Sequence, residues 1–384
     1  MRLGRDIAFL IAWMQGQNAT QAGEEMGKLI DLMALHAALI RLPGFESIAP
    51  TALQPLPELG LAHDHVRIAG TTWLLRVPRQ SQFGYTAAAN MAYQEACFDR
   101  CAPSNHTPKL RGTLPPQPGL PMGALLVEAI DGASLVLPTD MPGIAACLAA
   151  IHMLEVPPVE RRNPLENHAD TVTGTLGFIE RQSVVLATVL PQGAARRQIE
   201  SELEWARGYA AEVARTPQPL TLVLSDTHPG NYLRRPDGKV ICVDLEKALY
   251  GAPAIDLAHA SLYTSTTWDR LSAAALARPE IEGFYRHYLS LVPAGLAESL
   301  RPWLLPMRRL TWLRSVTWCV HYRAQSLKAR NRDKLHAVST EDWSREDVDA
   351  GLIAHVEDRV ADYLAAETIA RIRSEWVGER PLSL

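Results

Sequence analysis

The range 222–258 reads LVLSDTHPGNYLRRPDGKVICVDLEKALYGAPAIDLA and decides how the rest of the chain is interpreted. Asp226 and Asn231 lie on a short Thr-His-Pro-Gly loop after an apolar run, and Asp244 ends the next apolar run. The turn sequence Pro236-Asp237-Gly238 lies between them. Asp-Gly favours such a turn because it tolerates the positive φ of a tight hairpin. The stretch therefore predicts a hairpin that brings Asp244 back towards Asp226 and Asn231.

These three side chains are a donor set suited to phosphoryl transfer. Magnesium prefers oxygen ligands and keeps several of its waters, so the carboxylate of Asp244 and the amide oxygen of Asn231 are a typical protein contribution. Asp226 is then free to accept the proton of an attacking hydroxyl, as the base of a kinase does a few residues before a metal-binding Asn. The alternative is a surface hairpin whose Asp and Asn residues serve turns and caps. A lone D-x4-N spacing could not separate the two interpretations.

At these residues the chain resembles the aminoglycoside phosphotransferase and choline kinase family, small-molecule kinases with a protein-kinase-like fold. The family pattern is close to H-G-D-x-H-P-G-N, then I-D-W-E, then G-x-P-x-x-D-L-A. The ranges 224–231, 243–246 and 251–258 match it in register, which favours the kinase interpretation over the surface hairpin. Three residues depart from the pattern without removing a group that performs chemistry: Leu224, Ser225 and Leu245.

The resemblance assigns roles to five positions of the pattern. It implies that Asp226 is the catalytic base and that Asn231 and Asp244 are magnesium ligands. It further implies that Glu246 and Asp256 give structural support to the catalytic loop. The implied cofactors are ATP and Mg²⁺, with GTP as the alternative nucleotide, and the implied partner is a small molecule with a hydroxyl group.

Length and composition limit the number of domains and the kinds of partner that the chain is expected to have. The chain has 384 residues, 47% of them hydrophobic, and such a length usually divides into two domains or lobes. Because the formal charge of −4 shows no basic excess, we expect neither nucleic acid nor a membrane as a partner. The five cysteines are scattered and odd in number, which is typical of reduced thiols in the cytoplasm. Arg2 and Arg5 precede a short apolar run, but Asp6 and the lack of a clear cleavage site argue against a signal peptide.

The region before the catalytic stretch has the pattern of a small sheet followed by a helix. Residues 43–57 are rich in Pro and are expected to form a loop. The ranges 64–68 and 71–77 are short β-type runs, which predict an antiparallel hairpin. Helical periodicity resumes over 87–101.

Two residues of this region match the nucleotide grip of kinases. In kinases a cation on the third strand holds the α and β phosphates and is positioned by a helix glutamate. Arg76 lies in the second strand run and Glu95 lies midway along the helix. The family often has Arg at that strand position, and Arg can replace Lys because it offers a planar bidentate grip. The alternative is a solvent-exposed Arg and Glu of little energetic weight.

Two further segments complete the predicted nucleotide site. Residues 125–132 form a continuous apolar run that ends in a turn and resembles the family's segment between the lobes. The resemblance implies that the backbone around Glu128 to Ile130 hydrogen-bonds a purine, whereas the plain alternative is a buried strand. The range 59–65, which carries a single Gly, is the candidate phosphate loop.

The half of the chain after Asp256 is expected to be helical. The ranges 279–292, 297–328 and 345–374 carry 3.6-residue apolar spacing. This half also contains several tryptophans with acidic residues near one of them. Tryptophans beside carboxylates favour a cationic substrate through carboxylate pairing and cation–π contact. Helix-core tryptophans beside an acidic helix N-terminus are the simpler explanation, so the sequence names no substrate residue.

Together these patterns predict an α+β, two-lobed, protein-kinase-like fold. We expect a helical extension at 1–42, a small antiparallel-sheet N-lobe at 43–128 and a large helical C-lobe with the catalytic loop at 129–384. The extension either packs on a lobe or serves as a dimerisation element or substrate lid. The predicted function is Mg-ATP-dependent phosphorylation of a hydroxyl on an aminoglycoside-, amino-alcohol- or sugar-like molecule. The rival is a catalytically weak, pseudokinase-like nucleotide-binding or scaffold protein, which the single-glycine loop favours.

Overall fold

A computed structural model describes residues 30–57, 62–329, 343, 345 and 348–384. Residues 1–29 of the predicted helical extension lie outside this set, as do residues 58–61, which include the first three residues of the predicted phosphate loop at 59–65. No helix within the described ranges is both long enough and apolar enough to cross a bilayer.

The smaller lobe is built on a five-stranded antiparallel sheet. The strands are β1 (Leu53–Pro55), β2 (His63–Ile68), β3 (Trp73–Pro78), β4 (Leu110–Leu114) and β5 (Ala124–Glu128), and their order in the sheet is β1-β2-β3-β5-β4. Gly70, with φ at 74°, closes the turn between β2 and β3, so the predicted hairpin is confirmed.

The expectation of a loop over 43–57 was wrong at its end, because β1 pairs antiparallel with β2 there. Leu53 lies opposite Ile68, and both side chains are buried. Only one apolar residue of β1 points into the core, and a single inward residue leaves no periodic pattern from which a strand could be predicted. Pro55 fits this position because an edge strand leaves one side of its backbone unpaired.

The sheet buries both faces, each against one helix. Helix α1 (Leu32–Leu39) begins at Asp31, whose Oδ1 accepts hydrogen bonds from the backbone N–H groups of Met33 and Ala34. It packs on one face, and α2 (Ala87–Cys101) packs on the other. Strand β5 shows the alternation directly: Leu126 belongs to the α1 side, while Leu125 belongs to the core that the sheet shares with the larger lobe.

The larger lobe surrounds short strands with helices. Strands β6 (Ala133–Ser134), β8 (Tyr232–Arg234) and β9 (Val240–Cys242) form one small sheet, and β7 (Thr221–Val223) pairs with β10 (Leu249–Gly251). The helices are α3 (Met141–His152), α4 (Thr171–Ser183), α5 (Leu186–Val189), α6 (Ala194–Val213), α7 (Ala254–Ser261), α8 (Tyr263–Thr266), α9 (Arg278–Leu291), α10 (Ala294–Gln325), α11 (Ala350–Tyr363) and α12 (Ala366–Arg373).

Helix α10, with 32 residues, runs through the centre of this lobe and packs against α4 and α7. Its buried side includes Trp312, Leu313 and Val316. The single helix predicted over 345–374 is instead the pair α11 and α12, since the chain leaves helical geometry at Ala365. Neither Gly nor Pro marks that break, so apolar spacing alone could not locate it.

Candidate active site

Asp256, near the start of α7, contacts the loop of residues 224–231, which is the predicted catalytic loop. Its carboxylate accepts hydrogen bonds from the backbone N–H groups of Leu224 and Ser225, each at 2.7 Å. The Nε2 of His152 lies 3.1 Å from the same carboxylate, and the hydroxyl of Thr227 donates to the Asp256 carbonyl at 2.7 Å. This fully buried carboxylate therefore contacts the loop backbone and His152, which places Asp256 in a supporting position.

The predicted hairpin is confirmed, and it carries the three proposed phosphoryl-transfer side chains. Strands β8 and β9 pair antiparallel, and Gly238 closes the turn with φ at 87°. The Nδ2 of Asn231 donates to the Asp226 carbonyl at 2.8 Å, which leaves the amide Oδ1 as the group able to bind a cation. Asp226, Asn231 and Asp244 all line one cavity of about 1110 Å³.

Lys247 forms an ion pair with Asp226 that the sequence interpretation missed. Its Nζ lies 2.6 Å from the Asp226 Oδ2. Burial alone would raise the pKa of the Asp226 carboxyl, but the Lys247 ammonium lowers it below the ordinary value. The carboxylate therefore stays ionised over the whole working range. The sequence signal that could have identified Lys247 is the reversal of the chain after β9. This reversal returns Lys247 to the loop that carries Asp226.

Arg76 contacts the proposed metal ligand. Its Nη2 lies 2.5 Å from the Asp244 Oδ1, and its Nη1 donates to the Val243 carbonyl at 3.1 Å. The arginine is only 3% exposed, and a second contact joins Nη2 to the Nδ1 of His63 at 3.2 Å. Arg76 thus lies on the cavity wall beside the hairpin, as its predicted phosphate role requires.

Glu95 does not contact Arg76, which corrects the predicted pairing. Its side chain is exposed, while the preceding residue, Gln94, is buried and directs its Nε2 to Glu246 at 3.3 Å. Consecutive residues of a helix are turned by about 100° from each other, so a shift of one position moves a side chain from the lobe interface to solvent. The comparison with kinases had selected Glu95 because it is a glutamate on the helix, without considering which face of the helix it occupies.

Glu246 joins the two lobes. It is buried, and its Oε2 lies 3.1 Å from the Nε2 of His63 in β2. Burial, followed by the nearby Asp244 carboxylate, raises the pKa of Glu246 to about 8. The residue therefore shares polar contacts with β2 and α2 while it adjoins the β8–β9 hairpin, which fits its predicted supporting role.

The segment between the lobes offers less to a purine than the resemblance implies. The Glu128 N–H donates to the Lys109 carbonyl at 2.8 Å and the Ala129 N–H donates to the Thr72 carbonyl at 2.8 Å, so both amides belong to the sheet. Within the described ranges, the N–H of Ile130 has no hydrogen-bond partner. The Glu128 side chain instead accepts from Arg235 of the larger lobe at 2.6 Å. Ile130 is thus the residue that can present a backbone donor to a base.

Asp244 and Asn231 fit magnesium by the chemistry of their donors. The Asp244 side chain is 25% exposed, and the pairing with Arg76 uses Oδ1, which leaves Oδ2 available. In the described part of the chain, no group of three or more His, Cys, Asp or Glu side chains is arranged to hold a metal. A cation held here would take its other ligands from phosphate and water, as magnesium commonly does.

Part of the cavity lining is aromatic. The ring centroids of Trp268 and Trp318 are 5.5 Å apart, as are those of Trp318 and Trp343, and both pairs are edge-to-face. All three line the cavity, as does Arg314 of α10, whose Nη2 donates to the Ser225 carbonyl at 2.6 Å. This wall has room for a second ligand beside a nucleotide.

Comparisons with known proteins agree with this geometry. The model of the phosphotransferase enzyme family matches residues 55–291, more than half of the chain. No curated protein sequence matches.

Solved structures share the fold at low sequence identity. An ethanolamine kinase from Plasmodium vivax has a TM-score of 0.57 at 12% identity, covering 93% of this chain and 98% of that one. A choline/ethanolamine kinase family protein from Mesorhizobium loti has a TM-score of 0.56 at 17% identity, covering 89% and 98%. A choline kinase from Cryptosporidium parvum has a TM-score of 0.52 at 12% identity, covering 90% and 98%. The chain therefore belongs to the phosphotransferase enzyme family, with a two-lobed protein-kinase-like α+β fold, and is a small-molecule kinase.

Proposed function

We propose that this kinase transfers the γ-phosphoryl group of ATP, bound with magnesium, to a hydroxyl group of a small molecule. The observation that carries the proposal is the convergence of Asp226, Asn231 and Asp244 on one wall of a single cavity. Lys247 and Arg76 place two cations at the same wall. A cavity of about 1110 Å³ accommodates a nucleotide and an acceptor together, since it exceeds the usual range for one drug-sized ligand.

The nucleotide is expected between the sheet and the hairpin. Its base lies against Leu74 and Val127 and accepts a hydrogen bond from the Ile130 N–H, while Arg76 faces the phosphates. The Asn231 Oδ1 and the Asp244 carboxylate would hold magnesium, which neutralises the charge on the β and γ phosphates when it is bound. Arg76 would then exchange its carboxylate partner for phosphate oxygens, which suit its planar fork.

The transfer step uses Asp226 to orient the acceptor. The acceptor oxygen forms a bond to the γ-phosphorus while the bond from that phosphorus to the β–γ bridging oxygen breaks. ADP leaves with the electron pair of the broken bond, and the hydroxyl proton passes to the Asp226 carboxylate. Because the transition state is loose, the proton moves late and a carboxylate with a lowered pKa is sufficient. Positioning and charge neutralisation supply most of the rate.

The release of ADP from Mg-ATP, or of GDP from Mg-GTP, tests the proposal. Asp226→Asn keeps the shape of the loop but removes the base, so turnover should fall by roughly 10²- to 10⁴-fold while the magnesium-dependent thermal shift with nucleotide persists. Asp99→Asn is a matched control, because Asp99 is an exposed carboxylate on α2. ADP release that is unchanged in Asp226→Asn contradicts the assignment. The absence of any magnesium-dependent shift in the wild type favours the scaffold alternative.

A further inference from the structure

Arg314 differs from the other inward-facing arginines of α10 in its partners. Arg308 pairs with Glu375 at 2.6 Å, and Arg309 pairs with Glu202 at 2.5 Å. In the described part of the chain, Arg314 has no carboxylate within ion-pair distance, and its one hydrogen bond goes to the Ser225 carbonyl. Its Nε and Nη1 groups therefore have no protein acceptor there.

The surroundings of Arg314 oppose an unpaired charge. Burial lowers the pKa of this guanidinium although Asp226 and Asp256 act in the other direction. Neither carboxylate forms an ion pair with Arg314, since Asp226 pairs with Lys247 and Asp256 contacts the loop backbone and His152. A partly desolvated cation without a counterion is costly, and a ligand of opposite charge removes that cost.

The two imidazoles near Arg314 are neutral, so they add hydrogen-bonding groups rather than charge. The Nδ1 of His259 accepts the Thr227 N–H at 2.9 Å, which means that this nitrogen carries no proton. Burial, with Arg314 contributing, lowers the pKa of His259 to about 3. Burial also lowers the pKa of His168, and both rings line the cavity. Lys247 is paired with Asp226, whereas Arg314 forms no ion pair with a carboxylate in the described part of the chain.

Among the described residues of the aromatic wall, two acidic side chains, Asp269 and Asp349, accept hydrogen bonds from the protein backbone. The Oδ2 of Asp269 accepts from the N–H groups of Leu271 and Ser272, at 3.0 and 2.8 Å. The Oδ1 of Asp349 caps α11 by accepting from Leu352. A cationic acceptor would thus be repelled by Arg314 close to the reacting atoms, whereas Asp269 lies in a loop and Asp349 lies at a helix end.

We infer that the hydroxyl acceptor carries an oxyanion group, a carboxylate or a phosphate, which pairs with Arg314 beside the catalytic loop. The inference rests on the proposed function and deepens it by naming the substrate class. A guanidinium binds both groups through two parallel N–H···O bonds. Trp318 lies one turn along α10 on the same face and offers its ring to the carbon skeleton of the acceptor. Hydroxy acids and sugar phosphates have this combination, whereas choline-like and aminoglycoside acceptors carry the opposite charge.

Matched acceptors test the inference. We would measure ADP release at constant ionic strength with glycerate and glycerol, with glucose 6-phosphate and glucose, and with ethanolamine and kanamycin. The expected result is a kcat/KM at least about 10-fold higher for an oxyanion-bearing acceptor than for its neutral counterpart, because hydrogen bonds between charged groups are the stronger ones. The glycerate and glucose 6-phosphate arms separate a carboxylate from a phosphate.

Variants of α10 assign the effect to one side chain. Arg314→Gln should lower kcat/KM for the oxyanion-bearing acceptor by roughly 10- to 100-fold, mainly through KM, and leave the KM for Mg-ATP unchanged. Arg314→Lys should recover part of the loss, since it keeps the charge without the planar fork. Arg301→Gln is the matched control, because Arg301 is an exposed arginine of the same helix.

Three results would overturn the inference. The first is turnover that favours neutral or cationic acceptors and is insensitive to Arg314→Gln. The second is an equal loss of kcat with every acceptor together with weaker Mg-ATP binding, which would place Arg314 on the transferring phosphoryl group. If the wild type releases no ADP at all, the proposed function fails, and tryptophan fluorescence during titration with glycerate and glucose 6-phosphate tests the oxyanion site separately. Binding that disappears in Arg314→Gln then supports the site, and the third overturning result is no binding by either compound.

Discussion

Replacement of Asp244 by Asn separates two roles of one carboxylate, because Asp244 is both the proposed metal ligand and the partner of Arg76. The Arg76 Nη2 lies 2.5 Å from the Asp244 Oδ1, and Arg76 is 3% exposed. Removal of one member of a buried ion pair costs roughly 3 to 5 kcal/mol, since it leaves an uncompensated charge. The Asp244 side chain is 25% exposed, and Arg76 keeps its bond to the Val243 carbonyl, so the cost should be lower. We expect the free energy of unfolding to fall by about 2 to 3 kcal/mol.

Thermal unfolding without and with ligand measures the two roles in turn. Without nucleotide, Asp244→Asn should unfold at least several degrees below the wild type, given roughly 2 to 4 °C per kcal/mol for a large domain. With Mg-ATP at about a hundred times its dissociation constant, the wild type should gain about 2.7 kcal/mol, and the variant should gain nothing. Asp99→Asn, which removes an exposed carboxylate, should match the wild type in both measurements.

A double variant shows whether the ion pair causes the loss. If Arg76 and Asp244 stabilise the fold through each other, Arg76→Gln combined with Asp244→Asn should cost less than the sum of the single changes. An unliganded Asp244→Asn that unfolds with the wild type would refute the reasoning about the pair. A magnesium-dependent nucleotide shift that survives in the variant would refute the metal assignment.

Three further predictions concern the other titrating groups. Lys247→Met should raise the pKa of Asp226, since burial then acts without the neighbouring ammonium, and the acidic limb of the kcat/KM profile should move to higher pH. Burial raises the pKa of Cys147 and of Cys319 to about 12, so both thiols should resist iodoacetamide at pH 8 in the folded protein and react after unfolding in urea, as mass spectrometry would show. Burial lowers the pKa of His65 to about 4, below the ordinary value of 6.5. The unfolded chain then binds more protons between these values, so the free energy of unfolding should fall as the pH falls from about 6.5 to 4, and His65→Gln should weaken that dependence in urea titrations at pH 7 and 5.

The catalytic hairpin was accessible from sequence because its determinants are local. An Asp-Gly turn between two apolar runs fixes the reversal, and the reversal brings Asp244 beside Asn231 whatever the rest of the chain does. The helix over 87–101 was equally local, and the structure has it at Ala87–Cys101. In both cases the signal lies within one or two elements.

The missed and misassigned residues depend on long-range packing. Gln94 rather than Glu95 faces the larger lobe because it shares the buried side of α2 with Met91 and Cys97, and its partner Glu246 comes from the other lobe. Lys247 reaches Asp226 only after the chain returns from β9. Arg314 meets the catalytic loop from α10, 89 positions away from Ser225 in sequence. Such contacts follow from how elements pack and cannot be predicted from their periodicity.

The ion pairing of Arg76, Lys247 and Arg314 differs, and the difference indicates which ligand each cation binds. Arg76 and Lys247 are paired with Asp244 and Asp226, so each has a protein counterion in the unliganded state. If the proposed function is correct, nucleotide phosphates compete with Asp244 for Arg76. The free energy of nucleotide binding is then reduced by the interaction energy of the Arg76–Asp244 pair. Arg314 has no carboxylate to give up within the described ranges, so a ligand that pairs with it gains the full interaction. The acceptor is the ligand on that side of the cavity, and this asymmetry is why Arg314, rather than Arg76 or Lys247, should decide which acceptor the enzyme chooses.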